Sequence, residues 1–153
     1  MNETESDFII DSSVLLSYQE GDSNAKKLMH DAIDGNISIS VSAYSLFIVS
    51  GSVAFDRKAE IGFLSLLKFI DTVFIDALIA MKAGYLYKTI SSNSNVYGQV
   101  DLFNVTDPEQ HLIEDSITCA IAENKKCTVV SNRANSILES IDVEWVALSE
   151  IYL

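Results

Sequence analysis

Short strand-like runs alternate with helical patterns along the whole sequence, and this alternation leaves few folds open to the chain. The run through Ile37, Ile39 and Val41 alternates apolar with polar side chains, as a half-buried strand does. Between such runs, apolar residues recur at helical spacing. Strands that alternate with helices form a mostly parallel sheet with helices on both faces. The sequence therefore predicts an α/β fold, a three-layer α/β/α sandwich around a mostly parallel central sheet.

The predicted elements cover most of the chain. Strands are predicted at 8–10, 37–41, 72–75, 127–131 and 143–146. Helices are predicted at 14–16, 23–33, 42–49, 59–70, 77–89, 107–123 and 134–140, with a polar loop at 90–95. Ligands of open parallel sheets bind outside the carboxyl ends of the strands, so the residues that follow strands are the first candidates for function.

The composition is that of an acidic globular domain. The chain has 153 residues, of which 48% are hydrophobic and 21% charged, so one domain over 1–153 is expected, with a flexible acidic N-terminus at 1–6. A net charge of −12 gives no general attraction for RNA phosphates or for an anionic bilayer. No apolar run is long enough to span a membrane, so no membrane partner is expected. Cys119 and Cys127 form no metal motif, and a cytoplasmic, reducing location with free thiols is expected.

Acidic side chains fall where the carboxyl edge of the sheet is predicted. Asp11 ends the first strand, and Glu114 and Asp115 follow the first turn of the helix before the fourth strand. Carboxylates that converge there would bind a hard divalent cation, Mg²⁺ or Mn²⁺. Such an ion activates water and stabilises the charge of a phosphoryl displacement. The simpler alternatives are that Asp11 caps the next helix and that Glu114 and Asp115 lie on a solvated helix face.

Three segments resemble the PIN domain, a metal-dependent nuclease fold that includes toxin ribonucleases of the VapC type. Residues 8–16 are similar to the family's opening strand, Asp, two small polar residues and apolar helix. Residues 112–122 resemble the family helix in which an Asp precedes an Ile/Ala-rich face, and residues 128–133 resemble a strand that ends in polar residues. The resemblance spans about 8–145 and implies a single PIN-like domain over 1–153.

The resemblance also implies a chemistry and partners. Asp11 and Asp115 match two catalytic acids of the family, which holds Mg²⁺ or Mn²⁺ and cleaves RNA, and Glu114 is a further candidate metal ligand. The candidate substrate-binding residues are Ser13, Ser131, Asn132 and Arg133. The family resemblance further implies RNA as substrate, a protein partner such as an antitoxin, and a homo-oligomer. The helix at 61–69 is apolar on nearly every side and is the surface expected for self-association.

Two acids of the family pattern are missing from the sequence. Segment 42–51 has no acid, and Ile48 best matches the position of the family's Glu. The family's last acid falls near Arg133 or Asn135. Arg133 is expected either to pair with Asp115 or Asp11 in place of a metal ion or to contact an RNA phosphate. The double change Arg133→Asp with Ile48→Glu is therefore expected to raise the affinity for Mn²⁺.

Three functional hypotheses remain open from the sequence. The chain is a divergent PIN-domain protein with weak metal-dependent endoribonuclease activity, a catalytically inactive binding or oligomerisation module, or a receiver-type phosphate-signalling domain. An active nuclease needs oxygens from at least three acids at one edge of the sheet. An inactive module would show two acids at most, with Arg133 pointing in. A receiver would carry a phosphorylatable Asp at the end of its third strand.

Overall fold

A computed structural model describes residues 6–92, 108–133 and 142–153 as a parallel sheet covered by helices. The strands are β1 (Phe8–Ile10), β2 (Ile39–Ser42), β3 (Asp71–Val73), β4 (Thr128–Ser131) and β5 (Trp145–Ala147). The helices are α1 (Ser12–Glu20), α2 (Ser23–Ile33), α3 (Ala43–Ser50), α4 (Arg57–Leu66), α5 (Ala77–Ser92) and α6 (Pro108–Lys125). All strand pairs are parallel, in the order β3-β2-β1-β4-β5.

Successive strand residues point to opposite faces of the sheet and so build two separate cores. Ile10 and Val130 face a core formed with α1 to α4. Ile9 and Val129 face a second core, which includes Ile121 of α6 and side chains of α5. Helices therefore cover both faces, and the predicted three-layer α/β/α architecture is confirmed.

Aspartates begin several helices. The side chains of Asp11, Asp22 and Asp56 accept hydrogen bonds from backbone N–H groups in the first turns of α1, α2 and α4. Each such cap contributes about 1 kcal/mol to helix stability. Gly21 ends α1 in the left-handed conformation, with φ 90°, which a side chain would disfavour.

Some predicted boundaries differ from the structure. The helix predicted at 59–70 is α4, which begins at the cap of Asp56 and ends at Leu66. Helix α5 continues to Ser92, into the predicted polar loop, because Ile90 is buried in its last turn. Residues 93–95 of that loop and the helix predicted at 134–140 lie outside the described residues.

At the N-terminus, Ser6 belongs to the segment predicted to be flexible. The structure places Ser6 in a buried position, where its hydroxyl contacts that of Ser40 on β2. Residues 1–5 lie outside the described residues.

The chain order creates one topological switch point in this sheet. The chain adds β2 and β3 on one side of β1 and then returns to add β4 and β5 on the other. Ligand sites of open α/β sheets lie where the order reverses, here between the carboxyl ends of β1 and β4. The order also differs from the 2-1-3-4-5 arrangement of receiver-type sheets. None of the helices within the described ranges is long and apolar enough to cross a membrane.

Candidate metal centre

Asp11 stands directly after β1 and uses its two carboxylate oxygens for different contacts. Oδ1 accepts hydrogen bonds from the backbone N–H of Ser13 at 3.0 Å and of Val14 at 3.3 Å, which caps α1. Oδ2 accepts a hydrogen bond from the hydroxyl of Ser131, at the end of β4, at 2.5 Å. Asp11 is 1% exposed. The capping role and the role in an acidic site are therefore compatible, because each uses one oxygen.

Glu114 and Asp115 reach the same edge of the sheet from α6. Glu114 is fully buried and Asp115 is 2% exposed, so neither lies on a solvated helix face. Glu114 accepts hydrogen bonds from the backbone N–H of Ser12 at 2.9 Å, from the Ser12 hydroxyl at 2.8 Å and from the Ser45 hydroxyl at 2.6 Å. Burying a carboxylate without hydrogen-bond donors costs free energy, and these three donors offset that cost.

Sequence reasoning did not single out Ser12 and Ser45. The side chain of α3 that contacts the acidic group is Ser45, whereas Ile48, the position inferred for the missing Glu, lines the cleft beside it. Ile48 stands three residues after Ser45, so the directions in which the two side chains leave α3 differ by about 60°. A serine carries no chemical signal in sequence, and only the hydrophobic pattern of α3 could have indicated which of its residues face inward.

Asp11, Glu114 and Asp115 together form a buried acidic trio. Each offers one carboxylate oxygen, and the three oxygens lie within 4.8 Å of one another. The expectation that Asp11 and Asp115 share one site at the carboxyl edge of the sheet is met. The trio also provides the three acids expected of an active nuclease.

Arg133 places its guanidinium in the middle of this trio. Its Nη2 donates hydrogen bonds to Asp11 Oδ2 at 3.1 Å and to Asp115 Oδ1 at 2.6 Å. The same nitrogen lies 2.8 Å from Glu114 Oε1. The expected ion pair of Arg133 with Asp115 or Asp11 is therefore present, and Arg133 pairs with both aspartates. The site combines the three acids of the nuclease hypothesis with the inward arginine of the inactive-module hypothesis.

The electrostatics follow from this burial. Burial raises the pKa of Glu114 above its usual value and the charge of Asp11 raises it further, whereas Arg133, Ser45 and Ser12 lower it in part. Burial lowers the pKa of Arg133, but the three carboxylates, Asp11 first, raise it by more. The guanidinium therefore stays charged, and it offsets part of the negative charge of the trio.

A divalent ion fits the trio in ligand type but not together with Arg133. Buried carboxylate oxygens are the ligands that Mg²⁺ and Mn²⁺ prefer. Octahedral Mg²⁺ binds oxygens at about 2.0–2.1 Å, so two ligands of one ion lie at most about 4.2 Å apart. The oxygens of the trio lie within 4.8 Å of one another. Nη2 of Arg133, which contacts an oxygen of each acid, lies where such an ion would lie. The ion and the guanidinium would therefore exclude each other.

The other predicted substrate residues lie around the same edge. The Ser13 hydroxyl contacts Asp11, and the backbone N–H of Asn132 donates to Ser13 Oγ at 2.8 Å. A cleft of about 690 Å³ opens beside them, and its lining includes Ser13, Asn132 and Arg133. Ser131 lies behind it, fully buried under Asp11. Binding of a substrate by these residues stays a prediction.

Both cysteines are free, as the sequence predicts, and the structure shows that both are buried. Cys119 lies one helical turn after Asp115 on α6. Burial, with smaller contributions from Asp115, Asp11 and Glu123, raises the pKa of the Cys119 thiol to about 12. The thiol therefore stays protonated at neutral pH and offers no nucleophile to the site.

Comparisons with known proteins find a similar fold among solved structures. No protein-family model matches the sequence, and no curated protein matches it. A chain of VapBC2 from Rickettsia felis, solved with a promoter DNA fragment, superposes with a TM-score of 0.62 at 15% identity, covering 92% of this chain and 97% of that chain. DNA-bound VapBC from Salmonella typhimurium gives 0.65 at 11% identity, covering 94% and 98%. VapBC-5 from Mycobacterium tuberculosis gives 0.53 at 12% identity, covering 92% and 97%.

These likenesses extend over nearly the whole chain in each comparison. Sequence identity is too low to carry activity or ligands from one protein to another, so the likeness establishes the fold. Together with the parallel sheet and the acidic trio at its switch point, it confirms the resemblance described above. The chain has the PIN-like fold found in VapBC toxin–antitoxin structures.

Proposed function

We propose that this chain is a divergent PIN-like protein whose Mg²⁺- or Mn²⁺-dependent cleavage of RNA is weak, because Arg133 holds the place of the metal ion. One observation carries the proposal. A single nitrogen, Nη2 of Arg133, lies within 3.1 Å of an oxygen of each acid of the trio. A permanent charge that is already bound and buried competes with any ion that enters.

The residues have distinct parts in this proposal. Asp11, Glu114 and Asp115 would hold a divalent ion once Arg133 moves aside, and the ion would activate water and stabilise charge on the phosphoryl group. Ser12 and Ser45 hold the Glu114 carboxylate in place. The RNA backbone would be contacted locally, through the cleft residues Ser13, Asn132 and Arg133, since the chain as a whole repels phosphate.

The experiment compares RNA cleavage by the wild type, Arg133→Gln and Asp11→Asn, with Mg²⁺ or Mn²⁺. We expect slow or no cleavage by the wild type, faster cleavage by Arg133→Gln in Mn²⁺, and none by Asp11→Asn. Arg133→Gln keeps most of the side-chain volume but removes the charge. Brisk cleavage by the wild type in Mg²⁺ that Asp11→Asn abolishes would contradict the proposal.

A second candidate is a catalytically inactive binding module. A groove of about 330 Å³ between α3 and α4 favours it, because it is lined mostly by apolar residues, among them Phe55, Phe63 and Leu64. Phe47, on the same groove, is 64% exposed. The structural neighbours are toxin–antitoxin complexes, which supports a protein partner of the antitoxin kind, and we assign that partner to this groove. If Arg133→Gln binds Mn²⁺ and still leaves RNA intact, this second function replaces the first.

The compartment proposed for either function is a reducing, cytoplasmic one. Cys119 and Cys127 are both unpaired, and neither is exposed. Free thiols persist where glutathione and thioredoxin keep them reduced.

A further inference from the structure

The two oxygens of the Glu114 carboxylate have different partners. Oε1 lies 2.8 Å from Nη2 of Arg133 and accepts a hydrogen bond from the Ser12 hydroxyl, also at 2.8 Å. Oε2 accepts hydrogen bonds from the backbone N–H of Ser12 at 2.9 Å and from the Ser45 hydroxyl at 2.6 Å. Oε1 is therefore the oxygen turned toward Arg133, and the donors on Oε2 help to fix that orientation of the carboxylate.

Ser42 lies behind Ser45, as the last residue of β2, and is fully buried. Its Oγ accepts a hydrogen bond from the backbone N–H of Ser45 at 3.0 Å and so caps α3. The same hydroxyl donates its proton to Ser45 Oγ at 3.1 Å. Within the described chain, both hydrogen bonds of the Ser42 hydroxyl are made with Ser45.

The direction of these bonds follows from the number of protons available. A serine hydroxyl has one proton to donate, and an ionised carboxylate can only accept. Ser45 gives its proton to Glu114, so its oxygen is left to accept the proton of Ser42. The bonds therefore run one way, from Ser42 to Ser45 to Glu114, and each bond polarises the next. We call these three side chains the serine relay.

Capping of α3 alone does not require a serine at position 42. An N-cap needs only an acceptor, and aspartate caps a helix as well as serine does. Aspartates cap α1, α2 and α4 of this chain. An aspartate at 42 could also cap α3, but as a carboxylate it could not donate a proton to Ser45. The hydroxyl of Ser42 therefore meets a need beyond the cap.

The position of Ser45 in α3 supports the same conclusion. Ser45 is the third residue after the cap, where the side chain of a capping box turns back to the N–H of the cap residue. Here the side chain turns to Glu114 instead. The first turn of α3 is thus arranged around a carboxylate that belongs to α6.

We propose that Ser42 is a positioning residue of the candidate metal centre, which acts through Ser45 to hold Glu114 with Oε1 toward the ion. The proposal rests on the proposed function, because it concerns the same carboxylates. Without the Ser42 proton, the Ser45 hydroxyl is free to turn away from Oε2, and the carboxylate gains freedom to rotate. Loss of a hydrogen-bond partner behind a metal ligand typically weakens metal binding by about 10–100-fold.

Calorimetric titration of Mn²⁺ tests the relay in an Arg133→Gln background. We expect Ser42→Ala to weaken binding by about tenfold or more, and Ser42→Thr, which keeps the hydroxyl, to leave the affinity unchanged. In a background that also carries Ser45→Ala, Ser42→Ala should have no further effect, because Ser42 acts through Ser45. The matched control is Asp56→Ala, which removes the cap of α4 at an exposed position and should leave the affinity unchanged.

Proton NMR of the wild type without metal gives a second measurement, which does not depend on the proposed function. A buried hydroxyl proton exchanges with water only when the structure around it opens. The Ser45 hydroxyl, held at 2.6 Å from Glu114, should therefore give its own resonance. Ser42→Ala should remove this resonance, whereas Ser42→Thr and Asp56→Ala should retain it.

Three results would overturn the proposal. The first is a Ser45 hydroxyl resonance that is absent from the wild type or unchanged in Ser42→Ala. The others are additive effects of Ser42→Ala and Ser45→Ala on the Mn²⁺ affinity, and equal losses of affinity in Ser42→Ala and Asp56→Ala. If Arg133→Gln binds no Mn²⁺ while the resonance behaves as expected, the proposed function fails and the relay from Ser42 to Glu114 stands.

Discussion

Arg133 carries a buried positive charge, and the acidic trio carries buried negative charge. Each offsets the charge of the other. The Arg133 side chain is only 16% exposed, and the three acids all contact one nitrogen of the guanidinium, Nη2. Such a group stabilises the fold little in net terms, because desolvation offsets the attraction. Removing one of these charged groups destabilises the fold strongly, because the remaining charges are left buried and unpaired.

Arg133→Ala should accordingly lower the free energy of unfolding by about 3–5 kcal/mol in the absence of divalent ions. Urea unfolding monitored by circular dichroism measures the change. The matched control is Lys82→Ala, which breaks a pair with Glu123 whose two side chains are 39% and 49% exposed. That loss should stay below about 1 kcal/mol. Equal effects of the two substitutions would show that the trio does not depend on Arg133.

Glu114 predicts a pH dependence of stability. Its pKa in the folded protein is raised, first by burial, so the folded state binds a proton there more tightly than the unfolded chain does. The stability of the wild type relative to Glu114→Gln should therefore fall as pH rises from about 4.3, the ordinary pKa of Glu, through the raised pKa. Urea unfolding at several pH values gives this difference.

A suitable control for that series is Glu150→Gln, at an exposed position. Its stability relative to the wild type should vary much less with pH. If the wild type instead gained stability over Glu114→Gln as pH rises, Glu114 would be held as a carboxylate by its donors and by Arg133.

Helices α3 and α6 show how far sequence patterns reach at the level of elements. The positions of Asp11 and of the acids of α6 could be predicted. A carboxylate that directly follows an apolar strand, or that lies in a largely apolar helix, stands out in the sequence from its apolar neighbours. The rotation of α3 about its axis could not be predicted to within one residue. That rotation decides that Ser45, not Ile48, reaches Glu114. The sequence also did not predict the full length of α5, since the burial of Ile90 in its last turn extends the helix past the polar pattern.

The rotation of α3 yields a prediction. Ser45→Glu in an Arg133→Asp background should bind Mn²⁺ at least about tenfold more tightly than Ile48→Glu in the same background, a difference of about 1.4 kcal/mol. A carboxylate at 45 would join the trio, whereas one at 48 would point into the cleft. Calorimetric titration measures both affinities, and thermal unfolding with and without Mn²⁺ verifies that both variants fold. Tighter binding by the Ile48 variant would contradict this placement.

At the scale of the whole molecule, the sheet brings together residues that lie more than one hundred positions apart. The alternation of strands and helices predicts the three layers and the parallel sheet, because each depends on local periodicity. Local patterns alone do not determine which strands become neighbours. Because β4 pairs with β1, Arg133 lies against Asp11, and residues from three separate sequence segments form one site.

The net charge of −12 bears on how that site could bind RNA. A chain that repels phosphate in general can approach RNA only where a cation is held locally. In this fold the cation at the switch point is supplied by the chain itself. The central claim is therefore that Arg133 and a divalent ion compete for the same three carboxylates.

Calorimetric titration of Mn²⁺ into the wild type, Arg133→Ala and Arg133→Gln tests this competition most directly. If Arg133 occupies the place of the ion, both variants should bind Mn²⁺ at least about tenfold more tightly than the wild type, a gain of about 1.4 kcal/mol or more. Adding Asp11→Asn to either variant should remove the gain. Wild-type protein that binds Mn²⁺ as tightly as the two variants would contradict the account.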